Sequence, residues 1–342
     1  MQKNSPDAIR EAFHRGAPPQ VPAVLFGGGQ WSVNQAGRLM REVATDPDLM
    51  TESVLATQKK VASPIVFVGS GFNNILAGAL GGRIRYPRLG SPEVIAPIVL
   101  DSVDEVDNCD LGELDRDPAV YTIRETARRV REAVGGGSAI VAVTQWGPFT
   151  TAGQMYGLDG FLRATITFPD TVHKMTEFAV RALKQYYQPL LEQRVIGLIS
   201  LADHSASSDM ISRKAFAKFC LPPLMDFIDW AKKSYHVDTW LHICGNTADK
   251  WDLMIDSGAI CLSLDQKVDL AMAKQVCKGK VCIAGNVDPV HVMDQGGIDD
   301  VIVAARGCMQ AAGPDGFILT TGCEMTPTTP PGNVQAMMEA AL

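Results

Sequence analysis

His242 and Cys244 stand two residues apart at the end of an apolar run, Val237 to Ile243, and a third soft donor, Cys323, closes a second such run, Gly316 to Thr321. Side chains at i and i+2 of a strand point to the same side. The first two can therefore grip one ion together, and a neighbouring strand can bring the third. One nitrogen and two sulfurs suit zinc, and three protein ligands with an exchangeable fourth position make a catalytic site rather than a closed structural one. A core histidine beside a buried thiol is the other reading of His242-x-Cys244 alone. Cys323 at a matching strand end and the flanking Gly245-Asn246-Thr247 favour the metal.

The rest of the chain must bring these residues together. Apolar runs recur at Val21 to Phe26, Ile65 to Gly69, Ala139 to Val143, Val195 to Leu201, Val237 to Ile243, Ile260 to Leu264, Lys280 to Ala284 and Gly316 to Thr321. Helix-like segments lie between them, long ones at Asp46 to Val61, Pro118 to Val134, Thr171 to Glu192 and Phe216 to Ser234. Strands alternating with helices imply a parallel sheet, and eight such units predict an α/β fold of the closed (β/α)8 TIM-barrel kind. The expected organisation is one barrel domain over 1–342, with a helical N-terminal extension (Pro6 to His14) and a β-arm near 83–99, where Pro, Gly and β-branched residues interrupt the pattern. An open doubly wound sheet is the alternative, but the first strand runs into Gly27-Gly28-Gly29 without the spacing of a dinucleotide fingerprint.

In a barrel of this kind the active site lies where the strands end. The polar residues found there are Asn74, Gln145 with Trp146, Asp203 with His204, Asp265, Asn286 and Glu324. Asp265 is the candidate fourth zinc ligand or, equally, a helix N-cap. Glu324 either orients a ligand from behind or faces solvent. Asn74, Gln145, Asp203, His204 and Asn286 are candidate cofactor contacts; turn chemistry or packing accounts for each of them as well. The remaining cysteines inside strands and helices read as small core residues.

The totals narrow the class of function. A net charge of −7 argues against nucleic acid or an anionic membrane as the main partner, because either would call for a basic patch. No run reaches the roughly 20 apolar residues of a membrane helix. Eight cysteines in a chain of 342 residues, several within apolar runs and with no signal pattern at Met1-Gln2-Lys3-Asn4, point to a reducing cytoplasm.

Four stretches together carry a family likeness: His242-Ile243-Cys244-Gly245-Asn246-Thr247, Leu262-Ser263-Leu264-Asp265-Gln266-Lys267, Ile283-Ala284-Gly285-Asn286-Val287-Asp288-Pro289 and Thr321-Gly322-Cys323-Glu324-Met325-Thr326-Pro327. They resemble the zinc-dependent methylcobamide:coenzyme M methyltransferases of the uroporphyrinogen decarboxylase superfamily. Asn34-Gln35-Ala36-Gly37-Arg38 is similar to the Arg-Gln-Ala-Gly-Arg of the decarboxylases, but Asn34 replaces the first arginine and Asn74 stands where that pattern has aspartate. An amide offers neither the cation nor the anion that decarboxylation uses.

The resemblance implies zinc on His242, Cys244 and Cys323, and a thiol acceptor taking a methyl group from a corrinoid protein. Zinc deprotonates a thiol while leaving it nucleophilic, and two cysteine thiolates on the metal favour thiol activation over water activation. The corrinoid must arrive on a partner protein, because the Asp-x-His-x-x-Gly pattern of a carrier domain is absent. The reverse direction, demethylating a methylated or methoxylated substrate onto Co(I), and a decarboxylase-like tetrapyrrole-binding protein are the alternatives. The family's members imply a monomer or a homodimer.

Overall fold

The computed structural model describes residues 4–98 and 102–341; Met1 to Lys3 and Val99, the last residue of the expected arm, lie outside the described residues. The strands are β1 (Ile65–Val68), β2 (Arg83–Arg85), β3 (Glu93–Ala96), β4 (Ile140–Trp146), β5 (Leu198–Ala202), β6 (Asp238–Ile243), β7 (Cys261–Leu264), β8 (Cys282–Val287) and β9 (Phe317–Thr321). Seven of them form one parallel sheet in the order β1-β4-β5-β6-β7-β8-β9, curled into an α/β barrel. The other two, β2 and β3, pair antiparallel as the expected arm.

The eighth strand differs from expectation. Val21 to Phe26 joins β9 through a single bridge, Ala23 to Leu319, with Val24 N–H donating to Leu319 O and Leu319 N–H to Pro22 O. Toward β1 a side chain replaces the ladder. Leu25 N–H donates to Ser63 Oγ (3.1 Å), whose hydroxyl donates to Ile65 O (2.7 Å). Pro22 has no N–H to offer a ladder, so this segment closes the barrel as an extended seam.

Strand alternation sorts the core into two layers. Val24, Phe26, Ile65, Phe67, Ala142, Leu198, Trp240, Cys261, Cys282, Ala284 and Ile318 point inward, and Ile9, Ala12 and Phe13 of the opening helix (Pro6–Phe13) pack with them at the barrel floor. The intervening residues, such as Val141, Val143, Ile199, Leu201, Leu241 and Leu262, pack outward with the apolar faces of the surrounding helices. Three helices share an entry signal. Ser5-Pro6, Asp46-Pro47 and Asp117-Pro118 each place a capping side chain before a proline at the first turn, where the missing N–H costs nothing. The predicted end of the Pro118 helix at Val134 meets a break at Gly135 (φ 65°), beyond which helical structure resumes to Ser138.

Candidate metal centre

His242 lies one inward position above Trp240 on β6, and the loop that follows carries Cys244; Cys323 follows β9. His242 is buried and the two cysteines are half-buried at the mouth. His242 Nε2 is 3.0 Å from Cys244 Sγ, Cys244 Sγ is 3.6 Å from Cys323 Sγ, and all three donor atoms lie within 4.8 Å of one another. Zinc bond lengths place tetrahedral N and S ligands about 3.5–3.8 Å apart, so this N/S/S triangle has the size and donor set for one zinc. The ring orientation fits as well. His242 Nδ1 lies 3.2 Å from the Ser263 carbonyl oxygen, to which its N–H donates, leaving the Nε2 lone pair turned to the cysteines. Contact with Cys244 and His242 holds the Cys323 thiol well below its ordinary value, and the same contact with Cys323 pushes Cys244 up.

Asp265 ends β7 beside this group. Its Oδ2 accepts Gly245 N–H (2.7 Å) and its Oδ1 accepts Lys267 N–H (2.9 Å), so both oxygens brace the loops that carry the donors. The helix after it, Leu270–Cys277, is capped by Asp269 instead. Glu324 turns to the triple-glycine loop, where its Oε1 accepts the N–H groups of Gly29 (3.2 Å) and Gln30 (3.4 Å). A Cβ at Gly29 would collide with the Ser70 carbonyl oxygen, so only glycine lets this loop come so close. Burial pushes Glu324 up to about 7, against the lowering effect of a hydrogen bond from Ser70.

The candidate cofactor contacts all lie at strand ends, but they are tied into the rim in different ways. Asn74 donates to Pro92 O on the arm (2.8 Å) and accepts the Trp146 indole N–H (2.7 Å). Trp146 in turn packs on His204, with ring centroids 4.6 Å apart, and burial holds His204 below its ordinary value. Gln145 shares the outward register of Val141 and Val143 and folds its amide back onto Trp146 N–H, so Trp146 is the β4 side chain that meets His204. Asp203 is fully buried and accepts Thr150 N–H (2.7 Å); burial pushes it up to about 6. Asn286 donates to Asp265 O (3.1 Å) and Val268 O (3.0 Å), pinning the loop after β7.

A clamp behind the centre was not foreseen. Lys250 is fully buried, and its Nζ donates to Ala206 O (3.1 Å) and Ile211 O (3.3 Å). The turn it holds carries Ser208, whose N–H donates to Asn246 O (2.8 Å), and Asp209, which accepts Asn246 N–H (3.3 Å) and Lys267 Nζ (3.0 Å). Asp209 packs so close to Gly245 (φ 78°) that a Cβ there would collide with its carboxylate. Three strand-end loops are thereby laced together around Cys244. Arg38, by contrast, is committed elsewhere, to Leu49 O (2.6 Å), Ser53 Oγ and Glu52.

A sequence model described as uroporphyrinogen decarboxylase (URO-D) matches residues 4–342. The chain is 30% identical to a methylcobamide:CoM methyltransferase MtbA of Methanosarcina mazei over 252 residues, 73% of this chain and 71% of that one. It is 27% identical to the MtaA enzyme of Methanosarcina barkeri over 311 residues (90% and 88%), and 25% identical to a uroporphyrinogen decarboxylase of Crocosphaera subtropica (91% and 90%). The solved structure of a methyltransferase from Methanosarcina mazei shares the fold, with a TM-score of 0.87 over 99% of this chain and 98% of that one at 24% identity.

Proposed function

The chain belongs to the uroporphyrinogen decarboxylase (URO-D) family, and we propose that within it this protein is a zinc-dependent methyltransferase, moving a methyl group between the methylcobamide of a corrinoid protein and a thiol. The carrying observation is the convergence of His242, Cys244 and Cys323 in a chain whose relatives include enzymes named as methylcobamide:CoM methyltransferases. Zinc, when bound there, supplies a thiol deprotonated at neutral pH yet still nucleophilic. His242 and the two cysteines hold the ion, and Ser263 fixes the histidine's tautomer. Asp265 braces the Cys244 loop and would have to release Gly245 N–H to serve as a fourth ligand, and Glu324 fixes the glycine loop beside Cys323.

Trp146 and His204, with Asn74, Gln145, Asp203 and Asn286 setting the loops around them, form the wall against which the corrinoid face is presented. A decarboxylase would need cations free for a polycarboxylate, and Arg38 is already occupied by Glu52 and Leu49 O. No helix of the described residues is long and apolar enough to cross a membrane; we place the enzyme in the cytoplasm, acting as one barrel unit. Free methylcobalamin and a thiol test the reading. Zinc-loaded protein should demethylate the cobamide only when the thiol is present, lose that activity to a chelator and regain it with zinc. Zinc-loaded protein inert toward every thiol would overturn the reading.

A further inference from the structure

Among the described residues, carboxylates occupy several of the donors at the centre that an anion would use, and the unpartnered Gln145 amide lies on the strand's outward face. Backbone N–H groups at strand ends are the usual place for a negatively charged ligand group, and here the protein's own carboxylates fill them. Glu324 takes Gly29 and Gln30, Asp203 takes Thr150, and Asp265 takes Gly245 and Lys267.

The cations bonded into the same loops are committed as well. Lys267 is paired with Asp209 (3.0 Å), Lys250 is buried against two carbonyl oxygens, and Arg213 is paired with Asp252 (2.6 Å). Arg88 on the arm lines a narrow cleft with Gln30, Arg38 and Pro327, and that cleft contains neither cysteine. Two thiolates and a neutral imidazole leave a dication with no net charge, and Asp265 beside it makes the surroundings negative. The wall formed by Trp146 and His204 is aromatic, a surface that suits an uncharged or cationic group.

Building on the methyltransferase reading, we propose that the acceptor is a thiol whose remaining part is uncharged or cationic, in contrast to coenzyme M, whose sulfonate would meet carboxylates and occupied amides. In the transfer, the acceptor's sulfur attacks the methyl carbon. The sulfur–carbon bond forms as the cobalt–carbon bond breaks, its electron pair stays on cobalt, and the thiol proton goes to solvent. Recognition of an anionic tail needs a free guanidinium, ammonium or amide, and leaving it unmatched among carboxylates selects against it.

The test uses the zinc-loaded full chain, free methylcobalamin, and four acceptors: 2-mercaptoethanol, cysteamine, 3-mercaptopropionate and coenzyme M, with rates corrected for thiolate fraction. Calorimetric titration of each thiol without methylcobalamin gives binding separately from turnover. The neutral and cationic thiols should show a kcat/KM roughly 10-fold higher, and a Kd roughly 10-fold lower, than the anionic pair, equivalent to about 1.4 kcal/mol. Asp209→Asn, which frees the Lys267 ammonium, should narrow that gap several-fold in favour of coenzyme M. Coenzyme M matching or exceeding 2-mercaptoethanol with the unaltered chain would overturn the inference and leave the methyltransferase reading standing. Failure of all four thiols to bind or react would overturn the methyltransferase reading itself.

Discussion

Trp240 and His242 occupy consecutive inward positions on the same strand, yet one belongs to the barrel's floor and the other to its chemistry. The indole is enclosed by Phe26, Phe67 and Phe13, with ring centroids 5.8, 5.8 and 6.4 Å away. The imidazole touches the same Phe26 at 5.0 Å, but its polar edges meet Ser263 and the cysteines. A two-residue step along a parallel strand thus separates a rigid aromatic layer from a polar, ligand-bearing one. The lower layer fixes the angle at which the upper one presents its donors, so stability and metal binding should fail separately when each layer is altered.

Trp240→Ala is the harshest way to break that separation. Truncating a fully buried aromatic costs about 3–5 kcal/mol. Urea unfolding should show this loss, while the fraction that remains folded should still bind zinc. A variant that stays fully stable but cannot bind metal would mean that the floor is part of the site.

Asp203, buried at the rim of the upper layer, sharpens the comparison through pH. Its folded-state value of about 6 lies above the ordinary 3.8 of an aspartate, so its contribution to stability is present below about pH 4 and lost as pH rises through 6. A shift of that size corresponds to on the order of 3 kcal/mol. Metal-free Asp203→Asn, whose amide oxygen can still accept Thr150 N–H, should therefore gain stability relative to the wild type between pH 4 and 7. Parallel stability curves for the two proteins would contradict the assignment.

Lys250→Met probes the clamp between layers at smaller scale. Leaving the Ala206 and Ile211 carbonyl oxygens without their donor costs about 1–3 kcal/mol. The loosened turn should also weaken zinc affinity, read in the cobalt-substituted protein as altered thiolate-to-metal absorption. A stability loss with an unchanged cobalt spectrum would confine Lys250 to the scaffold.

The upper layer was legible because His242 and Cys244 stand two apart where an apolar run ends, and Cys323 closes a second such run. The barrel was legible for a related reason, since apolar runs alternating with long amphipathic helices leave few other arrangements, and strand limits moved by no more than about three residues. Val21 to Phe26 read as a full strand because burial alone was visible, whereas its pairing depends on Pro22 and on a hydroxyl from Ser63. The helices Gly29–Gln35, Pro148–Tyr156 and Leu158–Thr167 went unseen because Gly, Thr and Pro give them the composition of loops.

The orientation of Gln145 was recoverable, as alternation through Val141, Ala142 and Val143 already turned it away from the barrel's interior. Lys250 and Asp209 were not, because a lysine among charged neighbours in a loop carries no local sign that it will be buried by contacts from another strand's end.

The separation of scaffold from site rests on zinc at His242, Cys244 and Cys323, and elemental mass spectrometry on protein purified without added metal tests it most directly. Wild type and Cys323→Ala should be measured together, each with its circular dichroism spectrum. About one zinc per chain in the wild type, lost in a variant with an unchanged spectrum, is the predicted result. A wild type that holds no zinc even after loading, or a Cys323→Ala protein that keeps it, would contradict the metal centre and the chemistry built on it.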